Sequence, residues 1–182
     1  MIYSTEYSSP IGPLLLVSDG ENLIGIWMKD QKHFADNLNN KTLKRVGKEE
    51  LIIFNKVFKW LDSYFEGENP KISDLPLEPK GTEFRKSVWD ILLEIPYGKT
   101  ITYGEIAKNI AKQMNKEKMS SQAVGGAVGH NPISIIIPCH RVVGKDGSLT
   151  GYAGGIDKKI KLLKHENVDM SKLYVPKKGT AL

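Results

Sequence analysis

Cysteine is nearly absent: the 182 residues contain one, Cys139. A single thiol excludes a disulfide framework within the chain and a zinc site built from cysteines, so we expect no structural metal. Apolar runs such as residues 135–137 are far shorter than the roughly 20 residues that cross a bilayer as a helix. The N-terminus also lacks a basic segment followed by an apolar stretch. We therefore expect no membrane association, no signal peptide and a reducing, cytoplasmic location.

Positive charge is scarce in the first part of the chain. Residues 1–77 carry 9 Lys/Arg and 11 Asp/Glu, a net charge of −2. Residues 78–182 carry 17 Lys/Arg and 10 Asp/Glu, a net charge of +7, so the whole excess of +5 lies there. This asymmetry favours a C-terminal domain that faces a polyanion such as DNA, although a solvated basic surface without a partner fits the same count.

The first part of the chain reads as strands followed by a helix. Residues 2–7, 13–18 and 23–28 are β-rich runs separated by turn-forming segments, which predicts a small antiparallel sheet. The polar stretch 37–47 is predicted to be a loop. Apolar residues at helical spacing then indicate a helix: Leu51, Phe54, Phe58, Leu61 and Phe65.

Three prolines and a glycine make residues 69–81 the best candidate for a domain boundary. We predict an N-terminal supporting α/β domain over 1–77 and a C-terminal domain over 78–182 that binds DNA and carries the chemistry. The fold class is α/β (α+β): a small antiparallel-sheet-plus-helix domain packed on a mostly helical domain with a helix-turn-helix.

The helices of the second part are marked by their N-terminal caps. Thr82 precedes one helix, and Thr102 with Glu105 forms a capping box that begins the next. Ser120 or Ser121 can cap a third helix made of small residues. Two short helices joined by a turn suggest a helix-turn-helix. A final helix is predicted from residue 157 to about residue 166.

The most informative segment places the one cysteine beside a base. A β-branched run over residues 133–137 leads to Cys139, and His140 and Arg141 follow at once. A lone thiol seen by itself is more typical of core packing. A thiol next to an imidazole is also a candidate nucleophile, because the reactive species is the thiolate and a base must form it.

Residues 138–142, Pro-Cys-His-Arg-Val, resemble the active-site signature of the O6-alkylguanine-DNA alkyltransferases. The resemblance covers nearly all of residues 81–167, and the N-terminal part matches only in its general layout. Its further motifs follow in the family's order at residues 81–84, 88–89, 95–100, 103–107, 123–127, 131–132, 151–155 and 162–166.

The resemblance implies DNA repair by direct reversal, without a cofactor or a metal. Cys139 would take a methyl or other alkyl group from O6 of guanine in double-stranded DNA after the base has left the helix. The thioether formed is not easily hydrolysed, so a monomer would react once and inactivate itself.

The resemblance also implies roles for single residues. Cys139 would be the nucleophile, His140 would take its proton through a water, and Glu166 would orient the imidazole. Tyr103 would present its hydroxyl to the guanine ring, and Asn131 would tie the recognition helix to the active-site strand.

The remaining implied roles concern the base and the duplex. The carbonyl of Val142 would accept the guanine exocyclic amine, together with that of Cys139, and Tyr152 and Ala153 would line the pocket near O6. The third helix would enter the minor groove of DNA. The residues expected to contact DNA are Ser120, Ser121, Gln122, Ala123, Gly125 and Arg141. Gln122 departs from the pattern, since family members carry an arginine there that replaces the flipped base.

Two other classes fit parts of the sequence. A non-enzymatic helix-turn-helix sensor or regulator would share the DNA-binding features, but the presence of Cys139 favours the enzyme. A cysteine hydrolase or redox thiol protein usually places its histidine far from the cysteine in sequence, whereas His140 is the next residue.

Overall fold

The structure is a computed structural model that describes residues 1–38 and 42–177, and it divides the chain into two compact units. The first unit comprises Met1–Lys80 together with Pro132–Ile136. The second unit comprises Gly81–Asn131 and the chain from Ile137 onward. A short segment from the later part of the sequence therefore belongs with the N-terminal unit.

The first unit contains a four-stranded mixed sheet in the order β3-β2-β1-β4. Its strands are β1 (Ile2–Ser9), β2 (Gly12–Ser18), β3 (Leu23–Met28) and β4 (Leu43–Arg45). The three predicted strands are confirmed, and they pair antiparallel.

The prediction of a loop over 37–47 is wrong at β4, which pairs parallel with β1; residues 39–41 lie outside the described part. The edge of β1 offers backbone donors and acceptors to any extended segment, so pairing there needs no apolar pattern.

The predicted helix of the first unit is α1 (Ile52–Phe65). Phe54 and Leu61 are buried as their spacing suggested, whereas Phe58 and Phe65 are only half-buried. The inward face also includes Val57, because the helix presents a face wider than one row of residues.

The segment Pro132–Ile136 lies against β3 but forms no strand. The backbone N–H of Ile26 donates to Pro132 O at 2.8 Å, and the N–H of Ser134 donates to Ile26 O at 3.1 Å. Only one isolated bridge, Ile26 with Ile133, results. The chain then turns, with Ile135 at a φ of 74°, so the expected active-site strand is a turn. A β-branched run favours a strand locally, but this backbone conformation cannot continue one.

The second unit is mostly helical, as predicted. Its helices are α2 (Glu83–Leu93), α3 (Tyr103–Gln113), α4 (Ser121–Gly129) and α5 (Ile156–His165). Their N-terminal caps are those that the sequence indicated: Thr82 accepts from the N–H of Arg85, and Ser120 accepts from two N–H groups of α4. The capping box of α3 is also confirmed. None of the helices described is long and apolar enough to span a membrane.

Two contacts position the helices that surround the cysteine. The indole N–H of Trp89 on α2 donates to Ala127 O on α4 at 2.9 Å. Strands β5 (Ile101–Thr102) and β6 (Val142–Val143) pair in parallel, with Ile101 opposite Val142. Because β5 leads directly into α3 and β6 follows the cysteine turn, this pairing holds the first turn of α3 near Cys139.

Candidate active site

Cys139 begins a single 3₁₀ turn, Cys139–Arg141, that leads into β6. Its backbone N–H donates to Ile137 O at 2.8 Å, which closes a tight bend around Pro138. Only 5% of the residue is exposed. The thiol is therefore shielded from bulk water, and burial raises the pKa of Cys139 above its ordinary value.

The side-chain amide of Asn131 contacts the sulfur. Its Nδ2 donates to Cys139 Sγ at 3.1 Å and to Ile137 O at 2.8 Å. Asn131 is the second residue after the end of α4, so its amide joins that helix to the cysteine turn. An N–H donor on sulfur stabilises the thiolate more than the thiol, and it partly offsets the effect of burial on the pKa of Cys139.

A buried carboxylate organises the residues after the cysteine. Glu166, the C-cap of α5, accepts from His140 Nε2 at 2.5 Å, from Arg141 Nε at 2.8 Å and Nη2 at 3.0 Å, and from the N–H of Gly98 at 3.3 Å. Burial by itself raises the pKa of a carboxyl group. The hydrogen bonds that His140 and Arg141 donate, together with the charge of Arg141, outweigh it, so the pKa of Glu166 lies well below its ordinary value.

The Glu166 contact decides which nitrogen of His140 is basic. Burial lowers the pKa of His140, although the carboxylate opposes this shift, so the resting imidazole is neutral. Because an ionised carboxylate only accepts, the proton lies on Nε2, and Nδ1 carries the lone pair. Nδ1 is buried and has no hydrogen-bond partner within the described residues. The histidine is thus arranged to accept a proton at Nδ1.

Arg141 lies inside the unit, contrary to our expectation that it contacts DNA. Its guanidinium forms a two-point contact with Glu166, donates from Nη1 to Ile95 O at 2.6 Å and lies over the ring of Tyr97 at 5.7 Å. Arginine matches a carboxylate with a planar fork, which suits it to such an internal ion pair. Nothing in the local sequence distinguishes this arginine from a phosphate contact.

The two tyrosines expected near the base are buried. The hydroxyl of Tyr103, the first residue of α3, donates to Thr150 O at 3.2 Å and Gly151 O at 3.4 Å. The hydroxyl of Tyr152 has no partner in the part of the chain described, and Ala153 is half-buried. Burial, reinforced by the charge of Cys139, raises the pKa of both phenols. Both therefore stay neutral and can donate.

Lys159 is a site residue that our sequence reasoning missed. It lies on α5, is fully buried, and its Nζ donates to Val142 O at 2.5 Å and Thr150 O at 2.9 Å. The signal was present, because residue 159 falls on the same helical face as residues 156, 160 and 163. The position of this lysine on the inward face of a predicted helix therefore predicts that it is buried.

The exposed face of α4 carries most of the residues expected to contact DNA. Ser120 caps the helix, and Ser121, Gln122 and Ala123 are exposed. Gly125, however, is buried, and Gly126 is exposed instead.

Helix geometry explains this correction. Each residue advances about 100° around the axis, so position 126, and not 125, shares the face of positions 122 and 123. A Cβ added at Gly126 meets no atom within 4 Å. Packing within the protein therefore gives no reason for a glycine at this position, although glycine inside a helix costs about 1 kcal/mol relative to alanine.

A basic groove lies beside the N-terminus of α4. Its walls come from α3 and from the connection to α4, and its lysines are Lys108, Lys112, Lys116 and Lys118. Gly104, Ala107 and Ala111 line it along α3, and Ser121 lies at its α4 end. The groove accounts for part of the positive excess that the sequence placed in residues 78–182.

We expect Glu166→Gln to remove an acid-sensitive contribution to stability. The folded-state pKa of Glu166 lies below its ordinary value of 4.5, so its contribution is complete above that value and is lost as pH falls through the folded-state value. The glutamine leaves the Arg141 charge buried without a counter-charge, which should cost on the order of 3 kcal/mol at neutral pH.

Urea denaturation of both proteins from about pH 7 to about pH 3 measures this difference. The free energies of unfolding should converge as the pH falls. Glu117→Gln, a change at an exposed glutamate, is the control and should follow the wild type. A difference that stays constant with pH would show that Glu166 contributes through packing and not through its charge.

Both parts of the chain match families of known proteins. Residues 2–79 match the family described as "6-O-methylguanine DNA methyltransferase, ribonuclease-like domain", and residues 83–168 match its "DNA binding domain". Two curated relatives are named methylated-DNA--protein-cysteine methyltransferase. The one from Haemophilus influenzae is 46% identical over 92% of this chain and 87% of its own length; the one from Methanosarcina acetivorans is 48% identical over 91% and 98%.

Solved structures agree with the sequence relatives. The crystal structure of Mycobacterium tuberculosis OGT in complex with DNA has a TM-score of 0.77 and 40% identity, and it covers 90% of this chain and 92% of that one. An O6-methylguanine-DNA methyltransferase from Pyrococcus kodakaraensis has a TM-score of 0.62 and 26% identity, with 92% and 100% covered. A buried cysteine beside an oriented histidine, together with these matches over nearly the whole chain, shows that the protein belongs to the 6-O-methylguanine DNA methyltransferase family.

Proposed function

We propose that this protein repairs DNA by moving a methyl or larger alkyl group from O6 of guanine to Sγ of Cys139. Its curated relatives are named for transfer from methylated DNA to a protein cysteine, and a solved relative is described in complex with DNA. The observation that carries the proposal is the arrangement of Cys139, His140 and Glu166: a shielded thiol is followed by a neutral imidazole whose Nε2 is held by an ionised carboxylate.

The chemistry begins with loss of the thiol proton. His140 Nδ1 accepts that proton through water, and Glu166 stabilises the imidazolium that forms. The Cys139 thiolate, which accepts from the Asn131 amide, then attacks the alkyl carbon in line with the bond to O6. A carbon–sulfur bond forms, the carbon–oxygen bond breaks, and its electron pair remains on guanine, which takes up a proton. The thioether is stable, so each molecule reacts once.

The guanine is held by groups around the thiol. Tyr103 keeps a neutral hydroxyl, whose proton turns from the carbonyls of Thr150 and Gly151 to the ring when the base is bound and so assists its departure. The carbonyl of Val142 keeps one lone pair for the exocyclic amine, since Lys159 occupies only the other. Tyr152 and Ala153 border the position of O6. Arg141 acts here by holding Glu166, and not by contacting DNA.

The duplex is recognised by the exposed face of α4 and by charge. Ser121, Gln122, Ala123 and Gly126 are small or uncharged, which permits close approach of the helix to the minor groove. The basic groove next to α4 then contacts the phosphate backbone, and such contacts release counterions and do not depend on the DNA sequence. We further propose that the protein acts as a monomer in the cytoplasm, where a reducing environment keeps its one thiol free.

Two other functions account for less of the geometry. A damage sensor needs the DNA-binding face but has no use for a thiol that accepts an amide hydrogen bond beside a base. A hydrolase needs an acyl-enzyme that water can cleave. The shielding of Cys139 disfavours that second step, because bulk water has little access to the buried sulfur.

The decisive experiment is intact mass spectrometry after incubation with DNA that contains O6-methylguanine. Wild-type protein should gain one methyl group, on Cys139, and the amount transferred should not exceed one equivalent. Cys139→Ser should gain none while its affinity for DNA survives, because the helix face that binds is untouched. Unmodified wild-type protein would indicate a sensor, and demethylation beyond one equivalent would indicate turnover.

We expect Gly126→Ala to separate stability from DNA binding. A Cβ fits the structure there, so the free energy of unfolding should rise by up to about 1 kcal/mol. The same methyl group would hold α4 away from the minor groove of DNA. We therefore expect the affinity for duplex DNA to fall about tenfold, which corresponds to a loss of about 1.4 kcal/mol in binding free energy. The rate with the free base O6-benzylguanine should not change, and a parallel loss on both substrates would contradict the assignment of this face.

Gln122 offers a second test of the same face. A flipped base costs a few kcal/mol, and a side chain inserted in the vacated space offsets part of that cost. Gln122 is exposed in the first turn of α4 and has no charge, so its support should be weaker than that of an arginine. Single-turnover rates should show that Gln122→Ala slows transfer from duplex DNA but not from the free base. Gln122→Arg should preserve or raise the duplex rate. Equal losses on both substrates in Gln122→Ala would mean that the residue supports the pocket.

A further inference from the structure

Lys159 is buried without an acidic partner. Its side chain is fully enclosed, and its Nζ donates to two backbone carbonyls, Val142 O at 2.5 Å and Thr150 O at 2.9 Å. Within the described residues no carboxylate forms an ion pair with it. Carbonyl dipoles only partly replace the lost hydration of an ammonium ion, so this arrangement costs stability. Burial accordingly lowers the pKa of Lys159 to about 8, which still leaves it mostly charged at neutral pH.

The charge of Lys159 is coupled to Cys139. The thiolate raises the pKa of Lys159, and Lys159 in turn lowers the pKa of Cys139 against the larger effect of burial. The connection is also structural, because Val142, whose carbonyl holds the ammonium group, donates its N–H to Cys139 O. The cation is therefore fixed to the same turn that carries the nucleophile.

The other charged and titratable groups near the thiol supply no net positive charge. Arg141 and Glu166 neutralise each other, and His140 rests in its neutral form. Tyr103 from α3 and Tyr152 from the loop before α5 have raised pKa values and remain neutral. Among the groups described around Cys139, Lys159 is thus the cation that no carboxylate offsets.

We propose that Lys159 is a positioning residue whose buried ammonium ion is the counter-charge that allows the shielded Cys139 thiol to ionise. The idea rests on the proposed function, in which Cys139 must become a thiolate. Lys159 forms no bond to the alkyl group and keeps its own proton, and the thiol proton goes to His140. The alternative is a purely structural role, in which Lys159 only holds the carbonyls of Val142 and Thr150 and its charge has no effect on the ionisation of Cys139.

Two substitutions separate charge from hydrogen bonding. Lys159→Gln retains N–H donors for the carbonyls but removes the charge, and Lys159→Arg retains the charge but changes the donor geometry. Lys164→Gln, at an exposed position on the same helix, is the matched control. Since Cys139 is the chain's one thiol, alkylation by iodoacetamide reports on it alone.

The measurement is the rate of Cys139 alkylation by iodoacetamide as a function of pH, without DNA. The midpoint should rise by about one pH unit in Lys159→Gln, which corresponds to an approximately tenfold slower reaction well below the midpoint. Lys159→Arg should stay close to the wild type, and Lys164→Gln should coincide with it. The single-turnover rate with O6-benzylguanine should fall in parallel with the iodoacetamide rate at neutral pH.

An unmoved midpoint in Lys159→Gln overturns the proposal, as does an equal shift in Lys159→Arg. Lys159→Met repeats the test if the glutamine variant does not fold, because it fills similar volume without charge. The failure of the proposed function looks different: wild-type protein would not accept an alkyl group from DNA, whatever the iodoacetamide profiles of the variants.

Discussion

The carboxylate of Glu166 is the interaction on which the arrangement of the site depends. It lies at the C-terminal end of α5 and accepts hydrogen bonds from His140, Arg141 and Gly98. Because Arg141 supplies a buried positive charge, the carboxylate remains ionised and can only accept. That constraint places the imidazole proton on Nε2 and leaves the lone pair on Nδ1. The same contacts tie α5 to the turn that carries Cys139.

Burial presents this site with opposing requirements. A shielded thiol is protected from competing reactions, but burial also disfavours the thiolate that must form. The structure places two groups that favour ionisation against this cost, the Asn131 amide and the Lys159 ammonium ion. Both are anchored by backbone contacts, Asn131 on Ile137 O and Lys159 on Val142 O, so little reorganisation is needed when charge develops on sulfur.

Helix α4 shows a compromise of another kind. Glycine at an exposed helical position weakens α4, and no neighbouring atom in the protein requires it at Gly126. Ser120 stabilises α4 at its N-terminus, and the hydrogen bond from the indole of Trp89 to Ala127 O stabilises its inner side. The second unit therefore holds a helix in place whose outer face is kept small, which is consistent with a surface that another molecule approaches closely.

The sequence by itself determined the helices of the second unit, because caps and helical spacing act between residues a few positions apart, and it placed a thiol and an imidazole side by side at Cys139 and His140. The succession of α3 and α4 could be predicted for this reason. The strand β4 and the interior place of Arg141 could not. Pairing at the edge of a sheet and the partner of a charge depend on groups distant in sequence. Lys159 illustrates the division: its helical face could be predicted from spacing, but only the folding of α5 against Val142 and Thr150 decided that its charge would be buried against the backbone that follows the cysteine turn.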